Sequence, residues 1–116
     1  GADKEAVDSR KNTPLHLVAH GDHTILVQAL LAAGANKEAR NNQRCSPLHI
    51  AANAGNEAVV RILLAAGADK EARQVTHSTP LHLAADKGHE AVLQVLLAAG
   101  ADIEVSRLDG ATPLHL

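Results

Sequence analysis

Phenylalanine, tryptophan, tyrosine and methionine are all missing from this 116-residue chain. Aromatic side chains bury roughly 150–250 Å² each and commonly dominate a core. Without them the apolar 46% of the sequence is mostly alanine and leucine. Cohesion must then come from many small contacts between closely stacked elements rather than from one thick centre. A single cysteine, Cys45, excludes an internal disulfide and fits a reducing compartment, the cytoplasm or another. No stretch approaches the roughly 20 apolar residues of a membrane helix, so neither a membrane span nor a signal peptide is expected. Charge of one sign is not in surplus either. The formal net charge is −2, and no run of like charge exceeds a pair such as Arg10-Lys11. That argues against a nucleic-acid arm or a polybasic membrane patch. The length suits one domain, residues 1–116.

What the chain does have is a period. "TPLHLVA" starts at Thr13, "SPLHIAA" at Ser46, "TPLHLAA" at Thr79 and "TPLHL" at Thr112, each 33 residues after the last. "LLAAGA" keeps the same step at Leu30, Leu63 and Leu96. "GADKEA" and its variants do so at Gly1, Gly34, Gly67 and Gly100. Three words in fixed phase over the whole chain define a solenoid with units starting near 8, 41, 74 and 107.

Each word has a mechanical reading. In Thr-Pro the hydroxyl caps a helix start while proline takes the first helical position, and Ser46 preserves the cap. This predicts a short first helix over about Thr13 to His20, with apolar positions recurring at Leu15 and Leu17. After a break at "HGDH", "NAGN" or "DKGH", a second helix is predicted from roughly His23 to Ala33. Its apolar face is Leu26, Leu30 and Ala33, joined by Val27 and Leu31. Gly34, Gly67 and Gly100 stand where a left-handed C-terminal cap is wanted. Helices this short are marginal alone and hold only by burying a face against neighbours.

The 33-residue period with T-P-L-H-x-A resembles the ankyrin repeat along the entire chain. The resemblance implies an all-α solenoid of helix–turn–helix pairs joined by β-hairpin-like fingers, with three full pairs and a partial fourth. It also implies a non-catalytic protein-interaction module with a concave binding face. Two departures stand out. The family usually has Asp-Gly before the threonine, with glycine at positive φ. Asp109-Gly110 fits, but the equivalent pairs are Arg10-Lys11, Gln43-Arg44 and Thr76-His77, so those turns are expected to be strained or of another type. In "HGDH", Asp22 holds the usual glycine place, which makes the first inter-helix turn the odd one.

By family phase, the partner-contacting positions on the fingers are Ser9, Arg10 and Asn12; Asn42, Gln43 and Cys45; Val75, Thr76 and Ser78; and Leu108. On the first helices they are His20, Asn53, Asp86 and Lys87. Four of the eight histidines, His16, His49, His82 and His115, belong to the TPLH word, where the resemblance implies a structural hydrogen bond. His89 is likewise assigned to structure. Only His20, His23 and His77 remain for a metal shared between copies of the chain, and a zinc site wants three or four ligands. No phosphate loop, nucleophile elbow or HExxH is present. Glu5, Glu38, Glu71 and Glu104 fall at one phase and read as a solvated stripe. No cofactor is called for.

One further strip concerns the second helices. Ile25 and Ala32, Ala58 and Ala65, and Ala91 and Ala98 repeat at seven-residue spacing on the expected outer face. Small residues let helices approach, so this strip, or the open ends, is a candidate surface for self-association into a homo-oligomer. The idealised LLAAGA words and the mid-unit ends favour an engineered or excised scaffold.

Overall fold

The computed structural model describes residues 5–101, which form six helices and, among the described residues, no strand. Leu108, Glu104, His115 and the final TPLHL word lie outside the described residues. The helices come in three pairs: α1 (Pro14–Ala19) with α2 (Thr24–Ala32), α3 (Pro47–Ala54) with α4 (Glu57–Ala65), and α5 (Pro80–Lys87) with α6 (Glu90–Ala98). First helices stack on first helices and second on second, giving two layers. Leu15, Leu48, Leu63, Leu81 and Leu96 are fully buried between the layers, with Val27, Val59, Val60 and Val92. This is the all-α solenoid expected, built from side chains no larger than leucine and histidine.

The TPLH word works as a two-way cap. The hydroxyl of Thr13 accepts the N–H of His16, and the ring of His16 reaches back to the N–H of Thr13 at 3.0 Å. Ser46 with His49 and Thr79 with His82 repeat the arrangement. Such reciprocal boxes satisfy two of the helix's orphan donors. Because Nδ1 faces a backbone N–H, it must accept, and the proton sits on Nε2. From there His16 donates to the carbonyl of Cys45 at 2.7 Å, and His49 donates to that of Ser78 at 3.1 Å. Each ring thus fixes its own helix start and braces the next finger. His89 also serves structure, donating from Nε2 to the carbonyl of Asn53 at 3.0 Å.

The second helices close with the hydrogen-bond pair of a Schellman motif. Gly34, at φ 89°, donates to Leu31, and Ala35 donates to Leu30; the same pairs recur at Gly67 and Gly100. Gly55 and Gly88, at φ 74° and 73°, end α3 and α5 in the same way. The first unit departs as its sequence forecast. With Asp22 in the glycine place, α1 stops at Ala19 after six residues, against eight for α3 and α5. Its last carbonyls find another donor in the side chain of Asn56, which bonds Ala19 and Gly21 across the repeat boundary.

Three expectations are corrected by packing. Leu17 is not core: Leu15, Leu48 and Leu81 point inward, while Leu17 is 55% exposed and its counterparts Ile50 and Leu83 are half-buried. Leu26 is 51% exposed although Val59 and Val92, at the same phase, are fully buried. The reason is layering, since α4 and α6 each lie on the second helix before them and α2 has α4 on one side. The carboxylates at 5 and 38 are more than a solvated stripe. Glu5 accepts the N–H of Asn36 and Glu38 that of Asp69, both at 3.0 Å, so each ties its unit to the next.

Candidate functional site

The fingers are built on a side-chain acceptor that the sequence reading passed over. Oδ1 of Asp8 accepts the N–H groups of Arg10 and Asn12, both at 2.9 Å. Oδ1 of Asn41 does the same for Gln43 and Cys45, and Oε1 of Gln74 for Thr76 and Ser78. These three residues are 33 apart and each carries a side-chain oxygen acceptor, which was the available signal; two of them, Asp8 and Asn41, are turn formers. The bond from Asn12's N–H is the main influence holding the Asp8 carboxyl below its ordinary pKa, with partial desolvation opposing. The main chain closes each turn as well, with Lys11, Arg44 and His77 donating to the carbonyls of Asp8, Asn41 and Gln74.

Each closure requires a left-handed residue. Lys11, Arg44 and His77 hold φ of 63°, 59° and 66°. The expected strain is therefore present and the turn type is kept. An L-residue in this region costs about 1–2 kcal/mol, so some 3 kcal/mol or more is stored along the three fingers.

Adjacent fingers are joined to one another. The N–H of Asn42 bonds the carbonyl of Arg10, and that of Val75 bonds Gln43, both at 2.9 Å. Asn41 donates to the side chain of Asn12 at 2.9 Å. One guanidinium nitrogen of Arg40 bridges the carbonyls of Arg44 and Arg73 at 2.8 and 3.0 Å. The result is a preorganised bank rather than three loose loops.

Between this bank and the first helices lies a cavity of about 280 Å³ lined by Arg10, Asn12, His16, Leu17, His20 and Ile50. That volume is small for a cofactor site and suits one or two side chains. Two aliphatic side chains, Leu17 and Ile50, line it together with a guanidinium, an amide and the imidazoles of His16 and His20.

The positions expected from phase distribute as follows. Ser9, Arg10, Asn42, Gln43, Val75 and Thr76 are exposed on the tips, and Asn12 is half-buried at the cavity. His20, Asn53, Asp86 and Lys87 are exposed at the ends of α1, α3 and α5, which stack in one layer. Ser78 is the exception at 3% exposure, with its carbonyl held by His49 and its N–H by Gln74. It braces the finger from within. Cys45 is half-buried, and burial pushes its thiol pKa up while Arg40 opposes, which makes it a poor nucleophile. Leu17 and Ile50 are the cavity residues that phase alone did not assign.

On the opposite side, Ile25, Ala32, Ala58, Ala65, Ala91 and Ala98 are all exposed, Ile25 at 79%. The strip is not uninterrupted. Gln28, Arg61 and Gln94 are exposed at the intervening i+3 positions, and Arg61 forms a 2.8 Å ion pair with Glu57. Among the described residues no three His, Cys, Asp or Glu side chains are grouped to hold a metal ion. His20 lines the cavity, His23 precedes α2 and His77 sits on the third finger. Nor is any described helix long and apolar enough to cross a membrane.

Comparison with known families agrees with this architecture. A family model for ankyrin repeats in three copies matches residues 1–74, and one for the single ankyrin repeat matches residues 76–107. Among curated proteins there is no match. Repeats of this kind generally mediate protein–protein interaction. The 33-residue period, the capped helix pairs and the family matches lead to one assignment: the chain belongs to the ankyrin repeat family.

Proposed function

We propose that this chain is a non-catalytic scaffold that binds a separate protein through its finger bank and the concave ends of α1, α3 and α5. The observation that carries this reading is the partly aliphatic cavity between Arg10, Leu17, His20 and Ile50, next to fingers already locked by hydrogen bonds. Preorganisation spares the ordering entropy that loose loops lose on binding. An arginine, Arg10, beside a pocket that a partner's side chain can fill has the make-up of an interface anchor.

Panning a displayed peptide library against the chain tests it. Enriched peptides are expected to lose binding on Arg10→Glu and on Leu17→Asp, both at exposed positions that leave the core intact. They are expected to keep it on Ile25→Lys. Peptides indifferent to the first two changes would refute the reading.

A second reading is self-association through the outer strip, and the 79% exposure of Ile25 favours it. The ion pair of Arg61 and Glu57 within that face works against close helix docking. Light scattering at tens of micromolar decides it. A mass above the 12.1 kDa of one chain that returns to it in Ile25→Lys would support assembly, whereas a constant monomer would remove it. Linkage through metal, the third option, would need His20, His23 and His77 gathered from different copies.

A further inference from the structure

The three left-handed finger residues share a second property: all are basic. Lys11, Arg44 and His77 occupy the place where glycine would be free of strain, once per finger at 33-residue spacing. Strained conformations that persist where a relaxed residue is available mark places where the side chain itself is used. The inter-finger backbone bonds of Asn42 and Val75, each next to or near one of these residues, join the three turns that carry them. None of the three side chains has a hydrogen bond or ion pair among the described residues.

The trio belongs to a wider segregation of charge. Residues 8–12, 40–44 and 73–77 hold five basic residues, Arg10, Lys11, Arg40, Arg44 and Arg73, against one acidic residue, Asp8. The other described residues hold four basic and eight acidic. Asp8 is itself engaged by the N–H groups of its own finger. A nearly neutral chain therefore concentrates basic residues on its fingers, and one of them, Arg10, lines the aliphatic cavity.

Building on the concave-face reading above, we infer that the partner presents a linear acidic segment carrying an aliphatic side chain. The aliphatic group enters the cavity between Leu17 and Ile50, and flanking carboxylates meet Arg10, Lys11, Arg44 and His77. Single-stranded nucleic acid would also seek basic charge, but its binding relies on aromatic side chains for base stacking. This sequence has none.

The test is a chemical-shift titration of the isotope-labelled chain with three probes. These are a capped peptide Glu-Asp-Glu-Leu-Glu-Asp-Glu, a Lys counterpart with the same central leucine, and an oligothymidylate. The variant is Lys11→Gly/Arg44→Gly/His77→Gly, which relieves strain and so keeps the fold. The acidic peptide is expected to shift amides in 8–12, 41–45 and 74–78, more weakly as salt rises. In the triple variant its affinity should fall about fivefold, the sum expected for the two exposed charge contacts of Lys11 and Arg44, with an unfolding midpoint no lower than before. Equal binding of both peptides, no effect of the triple variant, no shifts with any probe, or tighter binding of the oligothymidylate would each overturn the inference. If binding ignores the glycines but is lost on Leu17→Asp, the concave-face reading survives without its acidic specificity. Shifts confined to α2, α4 and α6 would sink both.

Discussion

The rings of His16 and His49 each accept one backbone N–H and donate to one carbonyl, which only a neutral imidazole does in this geometry. Burial is the main reason both pKa values are lowered, His49 to about 4. A histidine whose folded pKa lies below its unfolded value of about 6.5 takes up its proton more readily when unfolded. Its contribution is complete above pH 6.5 and is lost as pH falls toward 4. For His49 the loss amounts to about 3 kcal/mol over that window, with about 2 kcal/mol gone by pH 5. Urea midpoints should therefore fall between pH 7 and pH 5, above the range in which ordinary carboxylates titrate. His49→Gln should be less stable at pH 7 and flatter across the same interval; a variant as pH-sensitive as the parent would contradict this. At this scale much was legible. Thr-Pro announced the cap, and the missing glycines announced the strained turns. The burial of Ser78 was not legible, because Cys45 makes the same two backbone contacts at the same phase and stays half-buried. Phase gives Ser78 and Cys45 the same address, yet one is buried and the other half-buried.

At the scale of elements, glycines with one local role meet different surroundings. Gly55 and Gly88 end α3 and α5 at nearly equal φ. A Cβ at Gly55 would stand 2.7 Å from Nδ1 of His89, whose Nε2 is tied to Asn53, whereas a Cβ at Gly88 would meet open space. Alanine at 88 should cost only the backbone strain of about 1–2 kcal/mol. Alanine at 55 should cost that plus about 1 kcal/mol for displacing the His89 hydrogen bond. Thermal or urea unfolding of the two variants measures the gap, and equal losses would show that His89 moves aside freely. Helix number, order and caps could be read from period and word. The exposure of Leu17 and Leu26 could not, since hydrophobic spacing marks an apolar stripe without saying which neighbours cover it. Leu26 differs from Val59 and Val92 in side chain and in where its unit stands in the stack.

For the whole molecule, the chain resembles a set of short helices made stable by nearest-neighbour contacts, with a separate set of bonds aligning the fingers. Histidine rings, Asn56, Glu5, Glu38 and Arg40 all cross repeat boundaries, so the shape of the concave face is set by the same contacts that hold the units together. The solenoid followed from the repeat words, and the proposed binding face rests on the family resemblance they carry. The cavity followed from neither, because it needs Leu17 of one unit beside Ile50 of the next. The most direct test of the concave-face account is backbone amide exchange of the chain alone and with a peptide selected on it. The account predicts slowed exchange in residues 8–12, 41–45 and 74–78 and at the ends of α1, α3 and α5. Slowing confined to the outer faces of α2, α4 and α6 would contradict it.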